Sequence, residues 1–256
     1  GPEVLRDIFD ELSSPLQFSV NTAIKNILGV SGQDVYMNFK SASEARYKRL
    51  VVPIEVMPVQ GDLLQTNGTT NIHPKWNPKE NSYIYLSNKN NDYFGQTDLY
   101  YHDLDSNEEK KIKSSVLSAP TWHSNGRMIY YSKKSKYPNK YGSRYYDIYS
   151  FDLDTEEEER LTIDARAFSP VFIEDDSSIA YLATYDGGQD IYKLDLRLNI
   201  SKKLTDFKDR PMISHLNYNA GTQQIYFDIT KHHHRDIYSY DLSNKTINKI
   251  ESSDSF

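Results

Sequence analysis

Three groups of side chains in this sequence have the composition to do chemistry. His232-His233-His234 offers imidazoles, which ligate transition metals and titrate near neutrality. The segment Asp98-Leu-Tyr-Tyr-His-Asp-Leu104 carries two carboxylates, the ingredients of a general acid–base pair. Asp186-Gly-Gly-Gln-Asp190 is an oxygen-rich turn of the kind that can hold calcium. Each has a plainer reading. Adjacent residues on a strand point to opposite faces, so three consecutive histidines rarely surround one tetrahedral ion, and Arg235 beside them repels a cation. They are read as a solvated loop, with His232, His233 and His234 as weak metal or pH-sensitive candidates. Asp186-Gly-Gly-Gln-Asp190 lacks the acidic spacing and terminal Glu of a calcium loop, and Gly187-Gly188 reads as a turn needing positive φ. Glu156-Glu-Glu-Glu159 reads as a solvated hairpin turn. The chain has no cysteine, which excludes thiol catalysis, disulfides and cysteine-ligated metals. It has no His-Glu-x-x-His, Gly-x-Ser-x-Gly, P-loop or dinucleotide fingerprint. The expectation is a chain with no catalytic residue and no cofactor.

The paired carboxylates must be judged with what positions them, because their segment is repeated. It recurs as Asp147-Ile-Tyr-Ser-Phe-Asp-Leu153, Asp190-Ile-Tyr-Lys-Leu-Asp-Leu196 and Asp236-Ile-Tyr-Ser-Tyr-Asp-Leu242, at intervals of 49, 43 and 46 residues. An active site needs one constellation, whereas four equal copies point to a structural duty such as capping backbone donors in Asx turns. Each heptapeptide follows an apolar-aromatic run: Tyr83-Ile-Tyr-Leu86, Met128-Ile-Tyr-Tyr131, Ile179-Ala-Tyr-Leu182 and Ile225-Tyr-Phe227. Upstream of each run lies a shorter segment such as Pro74-Lys-Trp76 or Pro120-Thr-Trp122, and downstream a fourth, such as Glu159-Arg-Leu-Thr162. Four short strands with turn signals in about 45 residues match a propeller blade. The spacing therefore predicts an all-β propeller of four-stranded antiparallel blades at 73–113, 119–163, 168–206 and 212–250. Trp76 and Trp122 share one repeat position and read as packing anchors.

Pro-x-Trp, a turn, Ile-Tyr, then Asp-Ile-Tyr-x-x-Asp-Leu and Leu-Thr closely resembles the repeat of TolB-like β-propellers, over residues 61–250. The resemblance implies that the first strand of each blade lines the central channel, that the heptapeptide is the third strand, and that the fourth lies outermost. It also implies a periplasmic or secreted setting, while its motifs are specific for the fold and nearly silent about function. The family generally has six or more blades, so four imply a piece of a longer protein, completed by its own polypeptide or by another chain.

Residues 1–50 differ in texture. Leu5, Ile8, Phe9 and Leu12 make one helical stripe, and Ala23, Ile24, Ile27 and Leu28 a second that Gly29 closes. Ser31 with Asp34 reads as the cap of a third helix carrying Val35, Phe39 and Ala42. This stretch resembles the last helices of a gluzincin-type peptidase-like domain. Residues 51–72 are expected to be a linker followed by the outer strand of a preceding blade, at Gly61-Asp-Leu-Leu-Gln-Thr66. The blades then occupy 73–256. Gly1-Pro2 resembles the remnant of a protease site and is given no role.

The net charge of −6, with no long basic run, argues against a nucleic-acid partner, and no apolar run is long enough to span a bilayer. What remains is surface. The loops joining second to third strands, at 87–97, 132–146, 184–189 and 229–235, emerge on one face of a propeller. They carry Tyr93, Phe94, Tyr137, Tyr141, Arg144, Tyr145 and Tyr185 as candidate partner-binding residues. Tyr and Arg are favoured in interface hot spots, although a Tyr-rich chain also places tyrosines in loops that bind nothing. The longest loop, with five Lys/Arg among residues 133–146, is the first choice for contact. Two functions stay open: a non-catalytic platform for protein partners in the cell envelope, and the accessory propeller of a larger hydrolase whose active site lies elsewhere. A third reading places a glycan or lyase site at channel-facing His73, His123 and His215.

Overall fold

The computed structural model describes residues 2–16, 18–173, 177–231 and 234–250. The chain divides into two compact units, Gly1–Leu64 and Gln65–Phe256.

The first unit is helical, with α1 (Pro2–Leu12), α2 (Val20–Leu28) and α3 (Gly32–Val56). Its punctuation follows local chemistry. Ser19 caps α2 by accepting from the Thr22 amide, and Gly29 ends it in the left-handed conformation at φ 72°. Ser31 caps α3 by accepting from the Asp34 amide at 3.1 Å. Ala23 is the one buried apolar residue among those described in this unit, and Phe9, Phe18 and Phe39 are exposed. Helix α3 runs on through residues 51–56, with Pro53 inside it, where the sequence reading put a linker. Residues 61–66 form no strand. An outer strand needs a third strand of its own blade to pair with, and among the described residues no strand lies before this segment.

The second unit is a four-bladed β-propeller of antiparallel four-stranded sheets. Blade 1 comprises β1 (Asn71–Trp76), β2 (Ser82–Ser87), β3 (Asp98–Asp103) and β4 (Glu108–Lys113). Blade 2 comprises β5 (Thr121–Trp122), β6 (Met128–Lys134), β7 (Tyr146–Asp152) and β8 (Glu158–Arg160). Blade 3 comprises β9 (Ala167–Ile173), β10 (Ser178–Tyr185), β11 (Gly188–Asp195) and β12 (Ile200–Lys203). Blade 4 comprises β13 (Met212–Asn219), β14 (Gln224–Lys231), β15 (His234–Asp241) and β16 (Ile247–Ile250). The register sets Ser87, Lys133, Ala183 and Ile229 opposite the first Asp of each heptapeptide, so the repeats superimpose residue by residue.

Successive side chains of a strand alternate between the two sheet faces, and the two inner blades pack through both. Ile84, Leu86 and Leu99 of blade 1 pack on Trp122, Ile129 and Tyr131 of blade 2. Ile148 of blade 2 packs with Tyr181 and Ala183 of blade 3. Leu182 and Ile191 of blade 3 meet Ile225 and Phe227 of blade 4. Hydrogen bonds tie the same junctions. The Trp122 indole donates to the Lys75 carbonyl at 2.9 Å, and the Ser132 hydroxyl to the Ala167 carbonyl at 2.6 Å.

The two end blades lack this cover on one side. The second heptapeptide residue is fully buried as Leu99, Ile148 and Ile191, but Ile237 is 55% exposed. At the other end, Trp76 is 58% exposed while its equivalents Trp122 and Phe172 are each 8% exposed. Trp76 therefore packs as an anchor only in part, because among the described residues no other blade covers that face.

Candidate functional site

The repeated carboxylates hold blades together. The second Asp of each heptapeptide accepts from the two backbone amides that start the next turn. Asp152 Oδ1 takes those of Asp154 and Thr155, at 2.9 and 3.2 Å, and Asp195 Oδ1 those of Arg197 and Leu198, both at 2.9 Å. Asp103 and Asp241 repeat the pattern. These are Asx turns, which satisfy amides the ladder leaves free. The first Asp clasps the connection to the following blade. Asp147 Oδ1 accepts from the Thr162 hydroxyl and the Ala165 amide, both at 2.9 Å, while Oδ2 takes Arg160 at 2.6 Å and the Asp164 amide at 3.2 Å. Asp190 Oδ1 likewise accepts from the Thr205 hydroxyl at 2.8 Å and the Phe207 amide at 3.0 Å.

A second device repeats in blades 1 and 2. A half-buried glutamate on the fourth strand accepts from a buried lysine and a tyrosine hydroxyl of the same blade. The trio is Glu109, Lys89 and Tyr85 in blade 1, and Glu158, Lys133 and Tyr131 in blade 2. Burial pushes Glu158 upward, but hydrogen bonds from Lys133 and Tyr131 outweigh it and hold its carboxyl below the usual range. Burial, then the bond to Glu158, pushes the Tyr131 phenol far up. Glu158 is thus part of a strand and an ion pair, which corrects its reading as a solvated turn residue: the outer strand starts at Glu158, and its side chain points inward to Lys133.

Of the histidines, His232 and His233 lie outside the described residues, and His234 opens β15 as an exposed residue paired with Lys231. No group of three or more His, Asp or Glu able to hold a metal occurs among the described residues. His73 and His215 do meet, with ring centroids 5.1 Å apart. Burial, His215 and Lys75 together lower the His73 pKa. His123 sits apart from them, edge-on to Phe172 at 5.2 Å.

Strand direction alternates within a blade, so the loops from second to third strands share a face with the connections between blades. The turns from first to second and from third to fourth strands occupy the opposite face. On the loop face, a pocket of about 720 Å³ lies where blades 2 and 3 meet, walled by Arg144, Tyr145, Tyr146, Arg166 and Phe168. A neighbour of about 520 Å³ lies toward blade 1 and includes Tyr93. Leu117, Lys134, Arg144 and Tyr146 belong to both, which makes them one groove. Arg166 donates to the Tyr145 hydroxyl at 2.9 Å and lies 4.3 Å from its ring centre. That contact lowers the Tyr145 pKa. Tyr145 and Tyr185 line a third, smaller hollow beside it.

The structure therefore gathers Tyr93, Arg144, Tyr145 and Tyr185 along connected hollows. Phe94, 76% exposed, belongs to a separate polar recess beside Asn88 and Glu109. Tyr137 and Tyr141 stand exposed on the 133–146 loop and line none of these hollows. Tyr185 ends β10 at a two-residue hairpin, where Asp186 and Gly187 have φ of 50° and 75°. Positive φ at both positions is the type I′ geometry that matches strand twist. The groove residues Leu117, Lys134, Arg166 and Phe168 were not among the sequence candidates. Leu117 and Arg166 sit on connections between blades, and the alternation of strand direction is the signal that puts those on the loop face.

No family model matches the chain, and no curated protein matches it. Among solved structures, it is similar to TolB from Acinetobacter baumannii at 20% identity, with a TM-score of 0.55, covering 70% of this chain and 43% of that one. A protein assigned as TolB from Agrobacterium tumefaciens matches at 17% identity and a TM-score of 0.62, covering 75% and 65%. The β-propeller domain of the Trilobed protease from Pyrococcus furiosus matches at 15% identity and a TM-score of 0.53, covering 73% and 56%. The chain thus spans between 43% and 65% of the length of these structures, and what it shares with them is the fold.

Proposed function

We propose that this chain is a rigid TolB-like propeller platform in the cell envelope, which binds a protein partner through its loop face and performs no chemistry itself. The observation that carries this reading is the gathering of Tyr93, Arg144, Tyr145 and Tyr185 around connected hollows that cross two blade junctions. Rigid sheets beneath such a surface keep the ordering cost of binding low, and exposed Tyr and Arg supply contact area with polar handles. The repeated carboxylates support it too, because backbone amides and ion pairs already occupy them. Among the described residues, no helix is long and apolar enough to cross a membrane. The experiment is affinity capture from envelope extracts, comparing the wild type with a Tyr93→Ala, Arg144→Ala, Tyr145→Ala variant and with a Tyr137→Ala, Tyr141→Ala variant. Loss of a specific partner in the first supports the hollows. Unchanged capture by both variants refutes this face.

The same reading takes the end faces at Trp76 and Ile237 as interfaces for further blades of the same repeat. Each repeats the residues that elsewhere receive a neighbouring blade and differs only in being uncovered. A second function, the accessory propeller of a larger hydrolase, draws support from the helical unit, whose exposed Phe9, Phe18 and Phe39 call for cover by another body. The Trilobed protease shows that a propeller of this fold can belong to a protease. A peptidase assay on the longer polypeptide separates the two.

A further inference from the structure

The groove on the loop face departs from the rest of the molecule in charge. The chain carries 36 Asp+Glu against 30 Lys+Arg, yet neither half of the groove has a carboxylate in its wall. It has Lys134, Lys136, Arg144 and Arg166, all exposed. Lys133 also reaches this wall, but its ammonium is taken by Glu158 at 2.6 Å. Arg166 turns to a neutral partner, the Tyr145 phenol, so its charge is held in place without being cancelled. Leu117, Phe168 and the ring of Tyr146 share this wall with the cations and give it apolar surface. Uncompensated cations in a concave, partly apolar wall concentrate potential and favour an anionic ligand.

The arrangement also distinguishes among anions. A phosphate group is best held by donors that converge on one point, such as an arginine fork or a nest of amides. Here the cations are spread along a groove that passes from the junction of blades 1 and 2 to that of blades 2 and 3, and apolar side chains share its wall. That matches an extended polypeptide whose carboxylates alternate with apolar side chains.

We propose that this groove binds a short acidic segment of a partner protein, with Lys134, Lys136, Arg144 and Arg166 meeting its carboxylates and Leu117, Phe168 and Tyr146 its apolar side chains. This deepens the platform reading and rests on it. The test is fluorescence anisotropy of the full chain with a labelled decapeptide alternating Glu and Leu, beside a Gln/Leu peptide of equal length and a single-stranded oligonucleotide. The acidic peptide should bind best and weaken steeply as salt rises from 20 to 300 mM, chosen to shorten the screening length about fourfold. Arg144→Gln with Arg166→Gln should lower its affinity tenfold or more, while Lys202→Gln, distant on an outer strand, should leave it unchanged. A circular dichroism melt of each variant checks folding. Equal binding of the Gln/Leu peptide, tighter binding of the oligonucleotide, or indifference to the Arg144/Arg166 pair in folded protein overturns the assignment. Should the acidic peptide fail while affinity capture still depends on Tyr93, Arg144 and Tyr145, the platform stands and only the acidic chemistry falls.

Discussion

Replacing one isoleucine at the same repeat position in two blades measures whether the outer face of blade 4 is uncovered. Ile148 and Ile237 both occupy the second position of the heptapeptide, and their exposures are 0% and 55%. Ile148→Ala removes three carbons from the packing of blade 2 on blade 3, and such core truncations cost about 2–5 kcal/mol. Ile237→Ala removes the same atoms from a side chain less than half covered. At about 0.8 kcal/mol per buried methylene, the loss is roughly 1 kcal/mol. Any loss of strand propensity applies to both sites, so a difference of about 2 kcal/mol survives it. Urea denaturation at two protein concentrations provides the readout. The midpoint should fall far more for Ile148→Ala, with unchanged slopes. An equal loss at Ile237, independent of concentration, would show that this face is covered within the chain and would refute the uncovered end face. A loss at Ile237 that grows with concentration would show a second copy seated on it.

Other perturbations follow from the same geometry. Asp147→Ala orphans buried donors and should cost about 3–5 kcal/mol by chemical denaturation. Asp236→Ala, whose partly exposed carboxylate meets Lys249 at 2.8 Å, should cost less than about 1 kcal/mol; the reverse order would contradict the clasp. The Glu158 pKa is depressed in the fold, so its contribution is present above the unfolded value near 4.3 and is lost as pH falls below it. Acid titration of stability should therefore flatten in Glu158→Gln relative to wild type. Gly187→Ala places a Cβ in ordinary contact, 3.7 Å from the Arg210 guanidinium, so its cost is that of φ alone, about 1 kcal/mol by denaturation, and a larger loss would mean the hairpin is tightly packed.

Much of this architecture was legible in the residues. The period of the heptapeptide marks out the blades, because an alternating Ile-Tyr pattern bounded by Asp turns has no helical alternative. The double duty of the Asp pair was only half visible. Repetition argued against catalysis, but the reach of Asp147 to residues 162–165 depends on how the outer strand returns. The tyrosine loops could be placed on one face by topology, yet not sorted, since Tyr141 and Tyr145 differ by four residues and only Tyr145 meets Arg166. Glu158 looked like one of four solvated acids because nothing local shows that Lys133 lies beneath it. The segment at 61–66 resembles an outer strand in composition, and strands form only where a neighbour offers its backbone.

The central claim is that the loop face, through the groove at blades 1 to 3, meets an acidic protein partner. A photo-cross-linking residue placed at Tyr146 in the groove, and in parallel at Thr155 on the opposite face, tests it in cells. The account predicts a discrete adduct from position 146 that disappears when Arg144 and Arg166 are both reversed to Glu, and none from position 155. Adducts from position 155 alone, or adducts at 146 indifferent to that charge reversal, would contradict it.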